Sequence, residues 1–197
     1  MNHPDFTQIR RDVDEAITFN DRLKAKALAA EGLRQAQEKE CLGEVMYFQA
    51  QLKIIEENFL EAICYLDQAI GYNSSDGAAF NDKALCLVEL GMIDGVEELF
   101  NEGIDVEPDY ATIHHNKGWF LNNLGRHREA LGCFEKALKL EPGRVVTYEN
   151  MADAYENIGL MAEALKSYKK ALALMRLSGP IRNQIEREIR RLEGSGD

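Results

Sequence analysis

LGMIDGVEELFNEGIDVEP from Leu90 to Pro108, LGRHREALGCFEKALKLEP from Leu124 to Pro142 and IGLMAEALKSYKKALALMR from Ile158 to Arg176 are three versions of one pattern, and their starts lie 34 residues apart. Self-similarity at a fixed period of this length marks a chain built from copies of one supersecondary unit. Carried through the chain, the register places small residues at Ala50, Ala84, Gly118 and Ala152, then at Ala62, Val96, Ala130 and Ala164, then at Ala69, Gly103, Ala137 and Ala171. Bulky residues recur between them at Leu66, Phe100, Phe134 and Tyr168, followed by Ile70, Ile104, Leu138 and Leu172. Antiparallel helices approach closely only where small side chains face each other, and large ones at helical spacing fill the gaps against the next pair. Gly91, Gly125 and Gly159 suit the left-handed residue that ends the first helix of a pair, while Pro108 and Pro142 close the second.

The period divides residues 43–178 into four units, 43–76, 77–110, 111–144 and 145–178. Ile9, Val13, Ala16, Ala25, Ala29 and Leu33 fit the same pattern, which makes 1–42 a degenerate helix pair, its second helix three residues longer. In 179–197, Pro180 suits a helix start, and Ile181, Ile185, Ile189 and Leu192 make one apolar stripe. A capping helix with a frayed tail at Gly194-Ser195-Gly196-Asp197 is expected there. In the first full unit Glu57 stands where later units carry glycine, with Asn58 beside it able to take the left-handed conformation. The closing proline is replaced by Asn73-Ser74-Ser75-Asp76-Gly77, which carries turn and helix-start chemistry. Arg176 stands in the last unit's proline slot, which lets its second helix run to about Leu177.

These repeats resemble the tetratricopeptide repeat family. The resemblance implies an all-α, right-handed solenoid of antiparallel helix pairs whose first helices line a concave face. On that analogy Tyr47, Gln51, Ile54, Ile55, Asn81, Leu85, Val88, His115, Trp119, Asn122, Asn123, Glu149, Asp153, Glu156 and Asn157 look into the groove. Apolar side chains there supply burial, and asparagines can pair with an extended backbone without a charge penalty. Trp119 is the leading anchor for a partner; packing between neighbouring repeats is the alternative account of it. Some family members grip a C-terminal carboxylate with lysines, arginines and asparagines. Those slots here hold Tyr47 and Gln51, Asn81 and Leu85, His115 and Trp119, or Glu149 and Asp153. Only Asn116 and Asn150 match a clamp asparagine, which argues against acidic chaperone tails as ligands.

The 197 residues include 34 acids against 23 bases, a net charge of −11 and a pI near 4.9, which argues against a nucleic-acid binder. Residues 43–110 alone carry fifteen acids against Lys53 and Lys83, net −13. That block, including Glu97, Glu98, Glu102 and Asp105, either solubilises the chain or steers a basic partner. No run of eighteen apolar residues occurs, and Met1-Asn2-His3-Pro4-Asp5 lacks the features of a secretory signal. A cytoplasmic location is expected, with Cys41, Cys64, Cys86 and Cys133 as thiols, the last three in buried slots. His114 and His115 are adjacent and point about 100° apart on a helix, so they do not make a metal site. Phosphate loops, GxSxG elbows and HExxH motifs are absent.

The sequence therefore points to a non-enzymatic interaction module or adaptor without cofactor or metal, holding a peptide or helical segment of another protein. Two alternatives stand beside it: a cytoplasmic secretion-type chaperone for an export client, and a self-assembling scaffold.

Overall fold

The computed structural model describes residues 5–18, 20–175 and 179–194. The chain divides into two compact units, Met1–Pro108 and Asp109–Asp197. Among the described residues the first unit holds α1 (Thr7–Thr18), α2 (Arg22–Glu38), α3 (Leu42–Ile55), α4 (Phe59–Tyr72), α5 (Gly77–Glu89) and α6 (Val96–Val106). The second holds α7 (Ala111–Asn123), α8 (His127–Leu140), α9 (Val145–Asn157), α10 (Met161–Leu174) and α11 (Pro180–Gly194). Inside each unit every helix packs on the one before and the one after it in the chain, as stacked repeats do. No helix among the described residues is long and apolar enough to cross a membrane.

The small–large alternation is realised as close helix contact. In the first unit Ala62, Leu66, Ala69, Ala84, Val96 and Phe100 are all at most 1% exposed. In the second, Ala130, Phe134, Ala137, Ala164 and Ala171 are completely buried. Gly118 of α7 lies so close to α8 that a Cβ would stand 2.6 Å from Phe134 Cε1 and 3.2 Å from the Ala130 carbonyl oxygen. The oxygen belongs to a helical backbone and cannot give way.

The turn at the end of α5, α7 and α9 passes through a left-handed glycine, with φ of 71° at Gly91, 76° at Gly125 and 80° at Gly159. At the end of α3 the structure departs from expectation. Glu57 itself takes the left-handed conformation at φ 59°, and Asn58 keeps a negative φ as the N-cap of α4, its side chain accepting from Glu61 N–H. An amide oxygen that caps a helix start satisfies an otherwise orphaned donor, so Asn58 serves better there and the strain moves to its neighbour. Asp76 likewise caps α5, accepting from Ala79 N–H.

α10 ends at Leu174, and the expected extension through Arg176 and Leu177 lies outside the described residues. α11 begins at Pro180 and buries Ile185, Ile189 and Leu192 against Ala152, Ala164, Tyr168 and Ala171. Ile181, expected in that stripe, is 47% exposed because it sits in the first turn. Ser195–Asp197 of the expected tail lie outside the described residues. The four cysteines form no disulfide, but Cys64 is exposed and Cys133 half-buried, so of the three expected in buried slots only Cys86 is buried.

Gly118→Ala should destabilise the chain by about 1–3 kcal/mol, because the added methyl overpacks a contact bounded by backbone. Urea unfolding of wild type and variant, followed by circular dichroism, measures it; an unchanged midpoint would show that α7 and α8 can separate.

Candidate functional site

In the first unit the side chains expected to meet a partner are largely used up by the chain itself. Tyr47 and Gln51 are 1% exposed and Asn81 is 2% exposed, so none of these three is on the surface. They surround one carboxylate. Gln51 Nε2 donates to Asp82 Oδ2 at 2.5 Å, Asn81 Nδ2 donates to Asp82 Oδ1 at 2.9 Å, and the Tyr47 hydroxyl bonds the same group. Burial, with the nearby charge of Asp76, still pushes the Asp82 carboxyl up to about 6 against the pull of its three donors.

Above this network lies Arg10 of α1. Its Nε and Nη2 each donate to Glu44 at 3.0 Å, and its Nη1 and Nη2 donate to Asp76 at 2.9 and 2.7 Å. The guanidinium carbon stands 3.7 Å from the Tyr47 ring centroid. Two bidentate carboxylates take four of the five N–H donors and the Tyr47 ring covers one face of the plane. Of the remaining candidates in this unit, Ile55 is buried, while Ile54, Leu85 and Val88 are half-buried.

The second unit is different. His115 is a correction like Tyr47: it is 6% exposed, its Nδ1 lies 3.0 Å from Thr147 Oγ1, and its ring packs 5.8 Å from that of Phe134. Burial, helped by the charge of Arg144, drives its pKa down to about 3 and holds it neutral. The others remain accessible: Trp119, Asn122, Glu149 and Glu156 are partly exposed, and Asn123, Asp153 and Asn157 are exposed. Asn122 Nδ2 donates across from α7 to Asp153 Oδ2 of α9 at 2.7 Å, and Asn157 Nδ2 donates to the same oxygen at 3.2 Å. Asn123 Nδ2 donates to the Trp119 carbonyl at 3.0 Å, and His127 Nδ1 is 2.6 Å from Asn122 Oδ1. Partial burial lifts the Glu149 carboxyl above its ordinary range. Glu156 faces its own chain, accepting from the Tyr168 hydroxyl at 3.0 Å and pairing with Arg191.

The residues that sequence reasoning missed are Arg10, Glu44, Asp76, Asp82 and Thr147. Asp82 had a visible signal, since the repeat register puts it in the slot of Phe48, Asn116 and Asn150, an acid where other units are neutral. Arg10 had none, because its partners sit 34 and 66 residues away. Among the described residues no group of three or more histidine, cysteine or carboxylate side chains is placed to hold a metal ion.

Family models for the tetratricopeptide repeat match residues 111–144 and 145–174. A search of curated proteins finds no match. Solved structures share the fold. TTC0263, a thermophilic TPR protein of Thermus thermophilus, is 19% identical with a TM-score of 0.75 over 92% of this chain and 97% of that one. The MamA protein is 20% identical with a TM-score of 0.62, covering 88% and 96%. YrrB, described as a TPR protein with an unusual peptide-binding site, is 16% identical with a TM-score of 0.61, covering 95% and 92%. At these identities the likeness shows the fold alone. The fold class is that of helix-pair repeat solenoids, all-α with a C-terminal helix packed on the last pair. Residues 111–174 match the tetratricopeptide repeat, and the described residues have the fold of solved tetratricopeptide-repeat proteins. Such repeats generally mediate protein–protein interaction and are typically non-catalytic.

Asp82 and His115 set opposite pH responses. The folded chain holds the Asp82 proton from about pH 6 downward, whereas an unfolded aspartate stays ionised to about 3.8, so acidification through this window stabilises the fold. An unfolded histidine gains its proton near 6.5 while folded His115 stays neutral to about 3, so acidification there destabilises it. Between pH 7.5 and 5 the thermal midpoint of Asp82→Asn should therefore fall more than that of wild type, and that of His115→Gln less. Parallel midpoint–pH curves for all three proteins would contradict both assignments.

Proposed function

We propose that the chain is a non-enzymatic interaction module that holds a segment of a partner protein on the α7/α9 face of its second unit, with Trp119 as the anchor. The observation that carries this reading is that Trp119 is partly exposed on the same helix as the accessible side-chain amides of Asn122 and Asn123. A large apolar surface flanked by groups that both donate and accept suits a peptide, whose backbone offers the complementary pairs. Glu149 and Asp153 add negative charge, which favours a basic segment over an acidic one. The description of YrrB as peptide-binding is consistent with such a use of this fold. A role as an adaptor in the cytoplasm follows as part of the same proposal.

Affinity capture with wild type and Trp119→Ala identifies the partner, and titration of that purified partner tests the reading. Trp119→Ala should weaken binding by about 2 kcal/mol or more, roughly thirtyfold, while helicity is retained. Binding should also weaken as salt rises from about 50 to 150 mM. Equal affinity for the two proteins would remove Trp119 from the interface. Light scattering separates the alternatives: an adaptor stays monomeric without its partner, whereas growth with concentration would favour a self-assembling scaffold.

A further inference from the structure

The ion pairs of Arg10 have an uneven ownership. Glu44 and Tyr47 belong to α3 and Asp76 is the N-cap of α5, so every group that receives the guanidinium lies outside α1. The receiving half is complete without the helix that fills it. Its composition selects arginine: two carboxylates each accept two parallel N–H bonds, and a tyrosine ring stacks on the plane, an arrangement that the three-donor ammonium of lysine cannot reproduce.

Charge at the site exceeds what Arg10 supplies. The cleft beside it, about 240 Å³, is lined by four carboxylates, Asp5, Glu44, Asp76 and Glu107, and by one guanidinium. Glu44 and Glu107 are both held above the ordinary carboxyl range, chiefly by burial. Two carboxylates that converge on one partly buried point require a cation there, and the cost of an empty pocket is what would drive a replacement in. The helix that supplies Arg10 enters through two anchors. Phe6 is 4% exposed with its ring 6.0 Å from that of Phe48, and Arg10 follows four residues later, its N–H bonded to the Phe6 carbonyl at 3.0 Å. After α1 the chain turns through Asn20 in the left-handed conformation, φ 56°, before α2 begins.

The geometry points to an arginine-recognition pocket, formed by Glu44, Tyr47 and Asp76, that α1 occupies from within the same chain. Its other occupant is a basic segment of a partner protein that presents arginine four residues after an aromatic side chain and enters as α1 leaves. The acidic block of residues 43–110, net −13, attracts such a segment and repels an acidic one. This pocket is independent of the Trp119 face: α1, α3 and α5 all belong to the first unit.

The test uses the full chain and an acetylated, amidated peptide of residues 5–18 with Asp12→Asn, Asp14→Asn and Glu15→Gln, which carries both anchors and changes the segment's net charge from −2 to +1. By isothermal titration, Arg10→Ala protein should bind this peptide at least tenfold more tightly than wild type, whose pocket is filled. The peptide carrying Arg10→Ala or Arg10→Lys should lose at least tenfold, although it retains Arg11 as a control for charge alone. Adding Glu44→Gln and Asp76→Asn to the Arg10→Ala protein should abolish the gain; asparagine keeps the helix cap while removing its charge. Equal binding to wild type and Arg10→Ala, binding that ignores the peptide's Arg10, or no binding would each overturn the proposal. If circular dichroism shows Arg10→Ala unfolded, Arg10→Lys protein, which keeps the charge but not the fork, takes its place with the same expectation. Failure of both variants to fold would show that Arg10 is structural and would likewise overturn the proposal.

Discussion

Large side chains seated on missing ones hold each unit together. Phe134 against Gly118 is one instance, and Phe48 against Gly32 is tighter still: a Cβ on Gly32 would stand 2.4 Å from Phe48 Cε1. Backbones that approach this closely leave little freedom for the residues around them. The position of Trp119 next to Gly118 follows from such a contact, whereas Tyr47 next to Phe48 is also held by Asp82 and by the Arg10 guanidinium. Burial of completely enclosed side chains such as Phe100, Ile113 and Ile185, worth about 1.5–3 kcal/mol each, then stabilises the stack pair by pair.

The same contacts explain what could be read in advance. A period of 34 residues, with small and large residues at constant offsets, is a direct image of helix pairs laid side by side, so the architecture was legible. Single-residue exceptions were less so. At the end of α3 two residues competed for one left-handed position, and the pattern alone did not reveal that Asn58 would be worth more as a cap than as the strained residue. Ile181 shared the apolar spacing of α11 but fell in its first turn, where no neighbour covers it.

The candidate site was legible by direction and not by depth. Repeat register tells which way a side chain points, but exposure depends on what the neighbouring elements project over it. Tyr47 was expected at a surface and lies beneath a guanidinium delivered from α1. Gln51 and Asn81 were expected to pair with a foreign backbone and instead satisfy Asp82. His115 is absorbed by Thr147. Trp119, Asn122, Asn123 and Asp153 have no comparable cover and remain accessible in the second unit. The two units thus use equivalent slots for different ends, an internal polar network in one and an open face in the other.

Asp76 performs two tasks with one atom. Its Oδ1 accepts from Ala79 N–H, where it starts α5, and from Arg10 Nη1, where it tethers a helix 66 residues earlier in the chain. Displacing α1 would therefore take one of two bonds from the atom that starts α5. α1 and a helix two pairs downstream thus share one carboxylate oxygen, so the seating of the first and the start of the second are fixed at a single atom.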